Sequence, residues 1–127
     1  MILCDTNILI EFYKNNSQIT AVLREIGQAD LAISAVTEAE LYFGALNKAE
    51  LQKIKRHLSF LQRFPLDNVI SNTFLELMET YSLSHKLSIP DALIAATALA
   101  HEAALYTLNV KDFYFISKLT LYSPVVD

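Results

Sequence analysis

The sequence predicts an α/β layered fold with a central, mostly parallel sheet, and three observations carry that prediction. Short apolar runs at residues 2–4, 31–34 and 105–108 alternate with stretches of helical periodicity. Leucine and alanine supply 34 of the 127 residues, while proline and glycine together supply five, a balance that favours helices on short loops over an all-β fold. Residues 92–100 are small or apolar nearly all round, as expected of a helix buried against a sheet. No internal repeat, low-complexity segment or linker interrupts the chain, so residues 1–127 read as one domain.

The elements follow in order. Ile2-Leu3-Cys4 ends at an acid, as a buried parallel strand would. Residues 6–15 read as a helix with Ile8, Leu9 and Phe12 on one face, and residues 17–27 as a second helix stopped by Gly27. Residues 31–34 form a second strand. Residues 37–46 and 48–63 read as a helical pair, with Leu51, Ile54, Leu58 and Leu61 recurring at helical spacing. Residues 65–69 fit either an edge strand or a loop, and residues 73–85 another helix. Pro90 opens the buried helix, since proline is tolerated in a first turn. Residues 105–108 and 119–126 complete the strands, with Pro124 placing the last at an edge.

Composition narrows the chemistry. With 53% hydrophobic residues the chain is long enough to bury a core without disulfides or structural metal. The nine-residue apolar run falls well short of the roughly 20 residues a membrane span needs. The first residues, Met1-Ile2-Leu3-Cys4-Asp5, lack the basic start of a secretory signal, so a cytoplasmic protein is expected. Gly27 and Gly44 are the only glycines, which excludes a P-loop and a dinucleotide-binding turn. A single cysteine, Cys4, excludes an intrachain disulfide and a Cys-rich zinc site. His101-Glu102 is followed by Leu105 where a zincin helix needs a second histidine, and no serine sits in a nucleophile elbow. His57, His85 and His101 lack metal-ligand spacing, and Cys4 between Leu3 and Asp5 reads as a buried hydrophobe. Carboxylate chemistry is what remains. A net charge of −4 argues against a broad electrostatic grip on nucleic acid, though not against a metal-bridged one.

Four acids stand where helices or turns begin: Asp5, Glu40 in Thr37-Glu38-Ala39-Glu40, Asp91 in Ser88-Ile89-Pro90-Asp91, and Asp112 in Asn109-Val110-Lys111-Asp112. Each has a structural explanation. Asp5 fits an N-cap and the other three fit capping boxes or close variants. Jointly they point elsewhere, because sites in parallel α/β sheets form beyond the carboxyl ends of the strands. Acids converging there without lysine or arginine beside them repel one another. A divalent cation relieves that repulsion, and an all-oxygen donor set selects Mg²⁺ or Mn²⁺ over zinc. Glu38 competes with Glu40, but two positions apart on a helix they face nearly opposite ways, so only one joins.

Asp5-Thr6-Asn7, Thr37-x-x-Glu40-Leu41-x-x-Gly44-Ala45, Pro90-Asp91-x-x-Ile94-Ala95-Ala96-x-Ala98 and Thr107-x-Asn109-x-x-Asp112-Phe113 resemble the PIN domain, and more closely its VapC group of toxin ribonucleases. The resemblance runs over nearly the whole chain in the expected order. It implies a three-layer α/β/α fold and a Mg²⁺- or Mn²⁺-dependent endoribonuclease restrained by a cognate antitoxin, commonly as a homodimer. Asp5, Glu40 and Asp91 match the family's three best-defined acids. Many members place a fourth acid where Asn109 stands, and Asp112 matches a position that is also often acidic.

On that resemblance Asp5 and Asp91 are the primary metal ligands, Glu40 orients or deprotonates the attacking water, and Asp112 completes the set. Thr6, Asn7, Thr107 and Asn109 are expected to support them through hydrogen bonds. Lys53, Lys55 and Arg56 lie in the one dense basic stretch. They read either as a substrate grip or as a solvated helix face. Tyr42, Phe43, Phe60 and Phe64 read as core, although Leu41-Tyr42-Phe43 with the following helical pair would also make an apolar surface patch, suited to self-association or to an antitoxin segment laid in a groove. Two other classes compete. A phosphotransfer or receiver domain also places an acid after its first strand, but needs a second acid where Asn7 stands and a strand-end lysine that Lys111 poorly supplies. A non-catalytic binding module would keep the acids only as caps. DNA cleavage is a substrate variant that the small size of the chain disfavours.

Overall fold

The computed structural model describes residues 1–124. Four short strands, β1 (Ile2–Cys4), β2 (Leu31–Ser34), β3 (Gln62–Phe64) and β4 (Ala104–Tyr106), lie in the order β3-β2-β1-β4. Every pairing is parallel, with Leu3 opposite both Ala32 and Leu105, and Ile33 opposite Arg63. Six helices connect and cover them: α1 (Thr6–Tyr13), α2 (Ser17–Ile26), α3 (Ala35–Phe43), α4 (Lys48–Leu58), α5 (Asn68–His85) and α6 (Ile89–Ala100). Parallel strands require such crossovers, which place helices on the sheet faces.

The strands show why the molecule has three layers. Along β1, Leu3 packs with Ala32, Leu105, Ile70, Leu77 and the α6 residues Ala92, Ile94, Ala95 and Ala96. Its neighbour Cys4 packs on the opposite face with Ile8, Leu9, Ile19, Ile33, Leu58 and Tyr106. A period of two buried on both faces is the signature of a sheet sandwiched between helix layers. The alanines of α6 let it approach the sheet closely, as its composition predicts.

Several boundaries differ from the sequence reading. Helix α4 stops at Leu58, and the expected helix through residue 63 instead turns at Ser59–Phe60 into β3. Leu58 and Leu61 are both buried at a spacing of three that imitates a helix. Pro65 disfavours the α region for Phe64, which favours an extended segment before it. The edge strand is therefore 62–64, and of the two readings of 65–69 the loop holds for residues 65–67 before α5 begins. Helix α5 begins at Asn68, five residues earlier than periodicity suggests, because Asp67 caps it by accepting from Ile70 N–H at 2.9 Å. Helix α3 begins at Ala35 rather than Thr37 and ends at Phe43 rather than Leu46.

Beyond β4 the predicted last strand is reduced to a bridge between Leu121 and Leu105. Leu105 N–H donates to Thr120 O at 2.8 Å and Tyr122 N–H to Leu105 O at 2.7 Å. The part of that strand at Val125 and Val126 lies outside the described residues.

Phe113, 1% exposed, anchors the short 3₁₀ turn Val110–Asp112 into the α5/α6 side of the core. Phe113→Ala is expected to cost about 3–5 kcal/mol, from lost burial plus the cavity left behind. A urea titration reads this as a lower midpoint at unchanged slope. A loss below about 1 kcal/mol would mean the site collapses around the gap.

Candidate active site

The carboxyl ends of β1, β2 and β4 open at one edge of the sheet, and the acids gather there. Asp5 follows β1 directly and caps α1, with only 5% of its surface exposed. Its Oδ1 accepts from Thr6 N–H at 2.7 Å and its Oδ2 from the Thr107 hydroxyl at 2.7 Å. Asp5 N–H donates to Tyr106 O at 2.9 Å, so the β1–β4 ladder itself fixes the backbone of this residue. Burial raises the carboxyl's pKa. The bonds from Thr107 and Thr6 oppose that rise, and the nearby charges of Glu40 and Asp112 reinforce it.

The turn after β4 is shaped around the same acid. Asn109 N–H donates to Thr107 Oγ1 at 3.0 Å, and Leu108 N–H donates to Asn7 Oδ1 at 3.3 Å. Thr107 thus bonds Asp5 directly, and Asn7 holds the backbone of the turn that follows Thr107. Asn109 joins that turn through its backbone: its side chain makes no capping bond, and the turn closes by Asp112 N–H on Asn109 O at 2.9 Å. The predicted Asn109–Asp112 capping box is therefore absent, because a 3₁₀ turn brings the backbone groups together unaided.

Glu40 projects from α3, and its Oε1 accepts from the Thr6 hydroxyl at 2.8 Å. Glu38 is withdrawn from the competition. Arg63 on β3 grips it with two bonds, Nε to Oε1 at 2.9 Å and Nη2 to Oε2 at 2.8 Å, and Tyr42 OH donates to Oε2 at 2.6 Å. Partial burial would raise the Glu38 pKa, but the bonds from Arg63 and Tyr42 and the charge of Arg63 outweigh it and hold the carboxyl low. The two glutamates do face opposite ways.

Asp91 sits in the first turn of α6, where Ser88 caps its N–H at 3.2 Å as the Ser88-x-x-Asp91 spacing predicts. Its carboxyl is pushed up to about 6. Burial is the leading cause, the charges of Asp5, Asp112 and Glu40 add to it, and the hydrogen bond with Ser88 partly offsets it. Asp5, Glu40, Asp91 and Asp112 thus form one electrostatic neighbourhood. Among the described residues the ion pairs are Lys14–Glu11 and Arg63–Glu38, so none of these four is neutralised by a base.

No three histidine, cysteine, aspartate or glutamate side chains among the described residues stand as a ready-made metal cage. The donor set still fits a hard cation that keeps several of its own waters and is held through one or two carboxylates. It offers oxygen alone, and its acids are unpaired and mutually repelling.

The basic stretch splits. Lys53 lines a groove of about 780 Å³ that also takes in Ile10, Tyr13, Glu40, Leu41 and Ile54. Lys55 acts on Glu38, on the side of α3 turned away from Glu40. Arg56 is exposed. His57 is a packing residue, stacked on Phe12 and bonded to Tyr13 OH at 2.8 Å. Cys4 is fully buried, and burial pushes its thiol up to about 12, which leaves it inert at neutral pH. Phe64 is buried as read, whereas Phe43 is 94% exposed and Phe60 62% exposed, against the reading of these two as core. Both lie where the chain leaves a helix, and no layer covers them.

Two contributors escaped the sequence reading. Thr37 looks like a helix cap from its spacing to Glu40, but Ser34 is the cap, accepting from Thr37 N–H at 3.0 Å. The serine three residues earlier, at the end of a strand, was the available signal. Arg63 has no local signal, since its partner lies 25 residues away.

The PIN domain family model matches residues 2–118. The chain is 38% identical over 90 residues to Ribonuclease VapC10 of Mycobacterium tuberculosis, spanning 70% of this chain and 67% of the relative. Its fold is similar to a chain of a toxin–antitoxin complex from Klebsiella pneumoniae, with a TM-score of 0.81, 32% identity and coverage of 94% and 96% of the two chains. It is likewise similar to a chain of VapBC2 from Rickettsia felis bound to a promoter DNA fragment, with a TM-score of 0.81, 30% identity and coverage of 96% and 98%. A parallel sheet carrying acids at its carboxyl edge, matched to one family model over nearly all its length, establishes that this chain belongs to the PIN domain family.

Proposed function

We propose that this chain is a VapC-type endoribonuclease, the toxin of a toxin–antitoxin pair, which hydrolyses RNA phosphodiester bonds with Mg²⁺ or Mn²⁺ in the cytoplasm. The observation that carries the reading is Asp5: a nearly buried carboxylate with both oxygens already fixed, beside three further acids that no base neutralises. Burying charge this way is costly unless something else is bound there.

A bound Mg²⁺ or Mn²⁺ supplies charge to the phosphate oxygens and a water of lowered pKa. Asp5 and Asp91 would hold it, directly or through retained waters. The bonds to Asp5 from Thr6 and Thr107 fix the orientation of its carboxylate, so little reorganisation would be needed on binding. Glu40, held by Thr6, orients the attacking water and accepts its proton. Asp112 completes the set through the turn that Phe113 anchors.

The antitoxin fits the groove beside α1, α3 and α4. Its apolar lining of Ile10, Tyr13, Leu41, Leu46 and Ile54 suits an amphipathic segment, and Glu40 lies in its wall. A segment seated there covers the acid site. The resemblance to the family also supports a homodimer.

The test is incubation of the partner-free protein with a mixed cellular RNA pool, with and without Mn²⁺. Discrete fragments that disappear on chelation are expected. A folded, Mn²⁺-saturated protein that leaves the pool intact overturns the reading and favours a non-catalytic binding module.

A further inference from the structure

Thr37 is an anomaly in its own helix. It is fully buried, it does not cap α3, and threonine is a poor helix former. A buried hydroxyl is costly unless it is bonded. The other fully buried helical threonine, Thr97, uses the ordinary solution and donates to Leu93 O four residues back at 2.8 Å. Thr37 instead reaches out of its helix to the Thr6 hydroxyl on α1, at 3.0 Å and 31 residues away in sequence.

The order of protons in this contact is determined by counting. Thr6 has one hydroxyl proton, and a carboxylate only accepts, so the Thr6 proton goes to Glu40 Oε1 at 2.8 Å. The 3.0 Å contact is then filled by Thr37 donating to Thr6 Oγ1. A three-member relay results, running from the core through Thr37 and Thr6 to the exposed Glu40 carboxylate. Each bond in such a chain polarises the next. Exposed glutamates ordinarily sample several rotamers, and this one is tied through Thr6 to a fully buried hydroxyl.

We propose that Thr37 is a positioning residue for Glu40, setting its carboxylate for the attacking water and the metal through the Thr6 hydroxyl. The proposal rests on the ribonuclease reading for what Glu40 does. It goes beyond that reading in assigning a core hydroxyl to the acid site.

Thr37→Val keeps the shape and removes the hydroxyl, while Thr37→Ser keeps the hydroxyl and removes a methyl. Both would be compared with wild type as partner-free protein, for kcat and KM on RNA and for Mn²⁺ affinity by electron paramagnetic resonance of the free ion. Thr37→Val is expected to lose about tenfold or more in kcat or in Mn²⁺ affinity, the usual scale for a residue supporting a metal site, with KM for RNA unchanged. Thr37→Ser should recover most of that loss, which simple core filling would not predict. Equal rates and equal affinities in wild type and Thr37→Val overturn the proposal. So does a Thr37→Ser protein as impaired as Thr37→Val, since volume would then be what matters. If wild type binds Mn²⁺ but cuts no RNA, the ribonuclease reading fails, and the affinities alone decide for or against Thr37 by the same criteria.

Discussion

Asp5→Asn is expected to reduce metal-dependent RNA cleavage by about two orders of magnitude or more while leaving the protein folded. Asparagine has the shape of aspartate, and its amide oxygen still accepts from Thr6 N–H in place of Oδ1. The amide nitrogen then faces Thr107, whose hydroxyl turns from donor to acceptor. The helix cap and the link between α1 and β4 therefore survive, and what disappears is the negative charge. Because burial and the neighbouring acids already disfavour that charge, its removal does not penalise folding. Fragment yield against time, beside a thermal melt of the same sample, separates the two effects. A well-folded Asp5→Asn protein that still cuts RNA in a Mn²⁺-dependent way would remove Asp5 from the reaction.

Asp91→Asn is expected to stabilise the metal-free protein at neutral pH and to abolish the stabilisation that Mn²⁺ gives wild type. The sign follows from the pKa. Asp91 titrates at about 6 in the folded chain against 3.8 as the ordinary value, so between these pH values the folded state holds a proton that the unfolded state has released. Its favourable contribution is complete below 3.8 and is lost as pH rises through about 6. At pH 7.5 wild type therefore carries the full penalty of an ionised Asp91, from burial first and then from Asp5, Asp112 and Glu40, and asparagine does not. The difference in melting temperature should stay nearly constant above about pH 6 and shrink as pH falls from there towards 4. On the proposed reading added Mn²⁺ reverses the ranking, because binding to the folded state alone raises stability by mass action and the variant lacks the carboxylate proposed as a ligand. A variant that melts at or below wild type at pH 7.5 without metal would show that Asp91 is not in the repelling cluster.

These two predictions describe a single trade. Asp5 and Asp91 are placed where a carboxylate is costly, and the proposed function turns that cost to use by placing a cation between them. Glu38 shows the contrast on the same helix as Glu40. Given a guanidinium and a phenol as partners, it becomes a structural tie between α3 and β3, with its pKa lowered rather than raised.

Much of this was legible in the amino-acid order because the relevant physics is local. The apolar runs of β1 and β2, the all-round apolar α6, the Ser88 cap and the position of Asp5 after a strand each depend on neighbours within a few residues. The errors occurred where two local signals compete. At 58–64 the spacing of Leu58 and Leu61 reads as helix, while Pro65 and the turn at Ser59–Phe60 favour the strand that forms. At 34–40 two hydroxyl residues, Ser34 and Thr37, both offer a cap, and the earlier one takes it.

The sequence by itself determined the layered parallel architecture and the four acids, because strand and helix periodicity and the acid-after-strand pattern are written within short windows. Only the tertiary structure decided which glutamate is drawn off by Arg63, that Thr107 is tied to Asp5, and that a core threonine is tied to Glu40. Those outcomes depend on hydrogen bonds between residues 25, 31 and 102 positions apart, Arg63 with Glu38, Thr6 with Thr37, and Thr107 with Asp5. Directional bonds of a few ångströms exist only after the sheet has brought their strands together, so no local pattern can encode them.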